Sequence, residues 1–164
     1  MLRYCWIAVV IIVIDQVTKY IAFTQLAGGP SVNVLPFLDF TLVFNSGAAF
    51  GLLRDAGGWQ NAFFIIVGVI ISGVLVAMLR RMPERQVQTA TALALILGGA
   101  LGNVIDRLLR GYVIDFVDVY YRTWHWPAFN VADAAITVGA ILLLLDALGL
   151  RLFGPPAVDP DPWQ

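Results

Sequence analysis

Residues 62–79 read Ala62-Phe63-Phe64-Ile65-Ile66-Val67-Gly68-Val69-Ile70-Ile71-Ser72-Gly73-Val74-Leu75-Val76-Ala77-Met78-Leu79, a stretch without a single charge. A helix crosses the hydrocarbon core of a bilayer in about 20 residues, with a range of roughly 17–25, so this stretch reads as a membrane span. Three more segments of that kind follow from the sequence: Tyr4 to Phe23, Gln88 to Ile105 and Val131 to Leu150. Composition agrees. Of 164 residues, 60% are hydrophobic and 13% charged, with mean hydropathy +0.82, against about 45–50% and about 25% in soluble domains. A soluble domain this small has too much surface to hide so many apolar side chains. The expected fold is therefore α-helical and membrane-embedded, with four transmembrane helices.

The net charge of -1 leaves no electrostatic footprint for nucleic acid. A single cysteine, Cys5, excludes an intrachain disulfide, and a single histidine, His125, excludes paired-histidine metal sites. No metal or cofactor is expected. The first span has Arg3 ahead of its apolar run but no small-residue cleavage site behind it, so it reads as a retained helix and not a leader. Basic residues near span ends stay preferentially in the cytoplasm. Arg80, Arg81 and Arg85 crowd the second connection, whereas residues 24–61 hold only Arg54. The second connection and both termini are thus expected in the cytoplasm, with the first and third connections outside.

Those outer connections carry strand signals. Phe40, Leu42 and Phe44 alternate with Thr41, Val43 and Asn45, and residues 112–121 look similar. Trp59, Tyr120, Tyr121, Trp124 and Trp126 are the aromatic types that favour a membrane interface. Small residues four apart, at Gly98 and Gly102, Gly68 and Ser72, and Ala135 and Gly139, favour close helix contacts. Residues 1–153 read as one membrane domain. The proline-rich residues 154–164 read as a flexible tail.

Ionisable groups inside spans cost about 2.5–3.5 kcal/mol each on insertion scales and so mark functional candidates. Asp15 and Lys19, four apart, share one helix face and can neutralise each other. Asp15 lies about 16 Å into its span, just past the midplane towards the outer side. Asn103 and Arg107 share a face at the outer end of the third span, where Asp106 can pair with Arg110. Asn130 suits an N-cap of the fourth span, and Asp133 a third helical position favoured by the helix dipole. Capping explains the last two locally. Depth says more: Asn103, Arg107, Asn130 and Asp133 occupy one level, with Asp115 and Asn45 in segments able to fold onto it and Asp15 leaning the same way. One outward-facing polar site is implied.

Asp115 and Asp133 are the natural pair there for hydrolysis. Two aspartates held close share a proton, so one can act as base on water while the other donates to a carbonyl. A serine–lysine dyad from Lys19 with Ser46 or Ser72 is the rival enzyme reading. An ion-coupled transporter is the rival of another class, although such sites sit at midplane between repeated halves, which this chain lacks. A non-catalytic assembly factor would need no paired aspartates.

Five segments together resemble one family. They are Asp15-Gln16-Val17-Thr18-Lys19, Asn45-Ser46-Gly47-Ala48-Ala49-Phe50-Gly51, Gly98-Gly99-Ala100-Leu101-Gly102-Asn103-Val104-Ile105-Asp106-Arg107, Val113-Ile114-Asp115-Phe116 and Phe129-Asn130-Val131-Ala132-Asp133. In this order they resemble the lipoprotein signal peptidases, or signal peptidase II, membrane aspartic peptidases of bacteria. The resemblance implies four transmembrane helices, an outer β-cradle and a short periplasmic helix near Gly57 to Trp59. It implies Asp115 and Asp133 as the catalytic dyad, with Asp15, Asn45, Asn103, Arg107 and Asn130 holding geometry or touching substrate and Lys19 supporting Asp15. It further implies the bacterial inner membrane and a diacylglyceryl-modified prolipoprotein as substrate, cut before its lipid-bearing cysteine at the outer face. Membrane lipid and the cyclic peptide inhibitor globomycin are the other implied partners. Glycines 57 and 58 suggest a hinge for a lid over the site.

Overall fold

The computed structural model describes residues 1–47 and 57–154. After a 3₁₀ turn at Leu2–Tyr4, the elements are α1 (Cys5–Leu26), β1 (Val32–Leu35), β2 (Leu38–Asn45), α2 (Trp59–Arg81), α3 (Val87–Arg110), β3 (Val113–Tyr121), β4 (Trp124–His125) and α4 (Val131–Ala147). Three helical segments, Leu2–Leu26, Trp59–Arg81 and Val87–Arg110, are long and apolar enough to cross a membrane. They contain the whole of the first three expected spans. The fourth is a helix of 17 residues.

Helix α3 is central, packed by α1, α2 and α4, and its small residues let the neighbours approach. A Cβ on Gly98 would lie 2.9 Å from the Ala8 backbone, one on Gly102 would lie 2.7 Å from an Asp15 carboxylate oxygen, and one on Gly99 would collide with the Ala132 carbonyl. The outward faces of α1 and α2 keep large apolar side chains exposed, Val9, Val13, Ile66 and Ile70 among them. Such faces require lipid as solvent. Because backbone atoms cannot yield as a side-chain tip does, Gly99→Ala is expected to push α4 away and cost about 1–3 kcal/mol. Thermal melting in detergent together with loss of activity would register it.

The four strands form one antiparallel sheet in the order β1-β2-β3-β4. Alternation located β2 and β3; β1 and β4, four and two residues long, are too short for a period-two signal. The sheet sits at the C-terminal ends of α1 and α3, where Phe116 packs on Ala22 and Leu26. Gly111 ends α3 with φ 81°, a left-handed conformation that glycine adopts freely, and turns the chain into β3. The opposite end of the bundle is closed by Ala8, Leu75, Leu79, Leu93 and Leu97. There Gln88 holds the chain beyond α4 by accepting from the Leu152 N–H at 2.6 Å and donating to the Leu150 carbonyl at 3.1 Å.

Of the region expected as a short periplasmic helix, Gly57 and Gly58 form a turn and Trp59 is the first residue of α2. No separate short helix stands at 57–59, and residues 48–56 just before them lie outside the described residues. So do most of the expected lid and, apart from Gly154, the expected tail.

Candidate active site

The α3–β3 turn and the β2–β3 register assemble one polar site. Asn45 pairs across the sheet with Val113, and Asp115 follows two residues later on the same face. The diagonal neighbours meet: Asn45 Nδ2 donates to Asp115 Oδ2 at 2.9 Å. A bridge between Val117 and Phe129 pins the approach to α4 against β3. This sets Asn130 beside Asp115, and Asn130 Nδ2 donates to Asp115 Oδ1 at 2.7 Å. Asn130 is also the N-cap, accepting from the Asp133 N–H at 2.9 Å while its own N–H donates to Asp133 Oδ2 at 3.3 Å, a capping box. Capping and site construction are therefore one arrangement, not competing explanations. From α3, Asn103 Nδ2 donates to Asp133 Oδ1 at 2.8 Å.

A cavity of about 600 Å³ opens over these groups, and both carboxylates line it, as do Asn45, Asn103 and Arg107. Arg107 donates from Nη2 to the Gly47 carbonyl at 3.0 Å, and its guanidinium lies 4.8 Å from the Phe64 ring centre, holding a positive charge on the cavity wall. Below Asp133 the wall continues along α4 to Thr137 and Val138, both exposed on the bundle surface. The cavity thus opens sideways as well as outwards. Burial pushes the Asp115 carboxyl up to about 7, Asp133 adds to the rise, and the donors from Asn45 and Asn130 oppose it.

The other three expected site residues stand behind the cavity. Asn130, Asp15 and Lys19 are completely buried and reach it only through their partners. Lys19 Nζ lies 2.8 Å from Asp15 Oδ2, 3.0 Å from Asp106 Oδ2 and 2.9 Å from Asn103 Oδ1. Asp15 Oδ1 accepts from the Ala132 N–H at 2.9 Å, capping α4 from another helix. Sequence reasoning gave Asp106 only its local partner Arg110, at 2.6 Å. It missed that Asp106 also receives Lys19, Gln16 Nε2 at 3.1 Å and the Ile114 N–H at 3.1 Å, one residue before Asp115. A carboxylate continuing the helical register at the outer end of an apolar span was the available signal.

This geometry weakens the serine–lysine alternative. All three protons of Lys19 are engaged by oxygens, which leaves no lone pair for a base. Ser72 is buried on α2 away from the cavity. A midplane transport site is equally at odds with a cavity at one end of the bundle.

The family model described as Signal peptidase (SPase) II matches residues 7–149. A lipoprotein signal peptidase of Acinetobacter baumannii is 53% identical over 153 residues, covering 93% of this chain and 87% of its own. One from Alteromonas mediterranea is 50% identical over 145 residues, covering 88% and 80%. Two solved bacterial membrane enzyme structures, obtained by the in meso method, superpose with TM-scores of 0.80 and 0.75 at 39% identity. Each covers 89% of this chain, and 87% and 92% of its own. The chain belongs to the signal peptidase II family: it is a multi-pass membrane peptidase that removes signal peptides from prolipoproteins.

Proposed function

We propose that Asp115 and Asp133 are the hydrolytic pair, cutting a diacylglyceryl-modified prolipoprotein immediately before its lipid-bearing cysteine. The observation that carries this reading is two carboxylates on one cavity wall, each held by asparagine amides, at the bundle end where the sheet lies. Asp115, pushed up to about 7, is the partner that keeps the shared proton, and Asp133 is the base. Asp133 takes a proton from water as the water oxygen adds to the scissile carbonyl carbon, and Asp115 gives its proton to the carbonyl oxygen. Asp133 then delivers its proton to the leaving nitrogen while Asp115 recovers one from the gem-diol. The C–N bond breaks and both aspartates return to their starting forms.

In this reading residues 1–153 act as one domain with α4 as a fourth span. Its 17 residues, about 26 Å at 1.5 Å each, reach the short end of the spanning range. The Arg80–Arg85 segment and both termini lie in the cytoplasm of the inner membrane, with the cavity at the outer face. The positive-inside tendency and the opposite ends occupied by basic loop and sheet support that orientation. Asn45, Asn103 and Arg107 contact or shape the substrate, whose acyl chains stay in the bilayer along the exposed α4 wall. Globomycin occupies the same cavity.

The test is cleavage by the purified protein in lipid nanodiscs of matched prolipoproteins with and without the diacylglyceryl group. Mass spectrometry should place the cut before the cysteine in the lipidated form, and globomycin should abolish it. Equal cleavage of both forms, or a cut elsewhere, would overturn the substrate assignment. The proton assignment gives a further prediction. Since kcat/KM reports the free enzyme and Asp115 must hold a proton, activity should fall as pH rises through about 7. Stability should move in the same direction. Between the ordinary carboxylate range and pH 7 the folded chain binds a proton that the unfolded chain has released, so raising pH weakens folding there. A pH series of initial rates and melting temperatures checks both.

A further inference from the structure

The buried ammonium of Lys19 has no acceptor capacity and carries three protons. Two go to Asp15 and Asp106; the third goes to Asn103 Oδ1. Had the cluster served only to neutralise itself, Lys19 would need its two carboxylates and nothing more. Arg110 balances the remaining charge on Asp106, so the four groups sum to zero without Asn103. The tie from α1 to α4 is already made by Asp15 and the Ala132 N–H.

The third contact decides which way round the Asn103 amide sits. Reversed, its NH₂ would face an ammonium and its oxygen would face the Asp133 carboxylate, two contacts of like sign. With the oxygen held at Lys19, the NH₂ points to Asp133 Oδ1 at 2.8 Å. The same oxygen lies 3.3 Å from Asn130 Nδ2, whose group also donates to Asp115 Oδ1 at 2.7 Å. The cation therefore sets the polarity of the Asn103 amide, while the N-cap to the Asp133 N–H sets that of Asn130.

We infer that Lys19 is a positioning residue for the reaction, its ammonium orienting the Asn103 amide so that the Asn103 donor points at Asp133. This rests on the reading of Asp115 and Asp133 as the hydrolytic pair. Lys19 touches neither aspartate of that pair among its hydrogen-bonded partners and acts from behind the cavity wall. The relay runs from α1 through α3 to the N-terminus of α4.

The test removes the ammonium without stranding a charge. Asp15→Asn/Lys19→Met leaves Asp106 paired with Arg110, and an asparagine oxygen can still accept from the Ala132 N–H. Cleavage of a diacylglyceryl-modified prolipoprotein is measured across pH in nanodiscs, with melting temperature and Asp115→Asn alongside. The relay predicts a folded variant with kcat lower by roughly tenfold to a hundredfold, the order expected when a positioned donor is compromised, and KM little changed. The basic limb of kcat/KM should move up, by about one pH unit at most, because Asp115 loses a nearby positive charge.

A folded variant with the wild-type pH profile and kcat would overturn the relay and leave Lys19 a structural cation. Should that variant not fold, Asp15→Asn/Lys19→Leu gives the same charge balance and the same comparison. Failure of both to fold would also overturn it. If Asp115→Asn retains turnover, the hydrolytic pair itself is wrong, an outcome distinct from any behaviour of Lys19.

Discussion

Asp115→Asn is expected to lower kcat by about 10²–10⁴-fold, the contribution of a positioned acid or base, in a chain that still folds. An amide has the same shape, and its oxygen can still accept from Asn130 Nδ2 where Asp115 Oδ1 does now at 2.7 Å. Its NH₂ would face Asn45 Nδ2, which now donates to Asp115 Oδ2 at 2.9 Å. Leaving that half-buried donor unmatched costs about 1 kcal/mol, the low end for a lost partner, partly offset because the repulsion from Asp133 disappears. The two effects are separable: melting temperature should drop modestly while turnover collapses. Asp133→Asn should behave alike, with a weakened capping box as its structural cost. A gel-shift assay of prolipoprotein processing, with kcat, KM and melting recorded for each variant, checks this. Turnover within a few fold of wild type in either folded variant would remove that residue from the reaction.

Lys19→Met alone is expected to destabilise the chain by about 3–5 kcal/mol, the range found when one member of a buried ionic group is deleted. Lys19, Asp15 and Asp106 are completely buried. Without the ammonium, Arg110 is the one direct cationic partner of the two carboxylates among the described residues, and it reaches Asp106 Oδ1, not Asp15. Asp15 would keep only Gln16 and the Ala132 N–H against its burial. Either it takes up a proton or the α1–α3 contact loosens. Thermal or denaturant unfolding in nanodiscs distinguishes this from the charge-balanced double variant, which should recover much of the loss. A single variant as stable as wild type would show that the cluster contributes little to folding.

The sequence by itself determined the solvent, the long apolar helices and the local pairs. An uncharged run such as residues 62–79 has no other comfortable environment. Spacing of three or four on a helix places Asp15 by Lys19, Asp106 by Arg110 and Asn130 by Asp133, because helical geometry fixes those neighbours whatever surrounds them. The five motif segments carried the family as well. Only the tertiary structure decided which of these pairs speak to one another. Lys19 meets Asp106 and Asn103 because glycines 98, 99 and 102 bring α1, α3 and α4 into close contact at one rotation. Asn45 meets Asp115 because the β2–β3 register places them diagonally on one face. Helix rotation and strand register are set by packing over the whole fold, and a shift of one residue in either would send these side chains elsewhere.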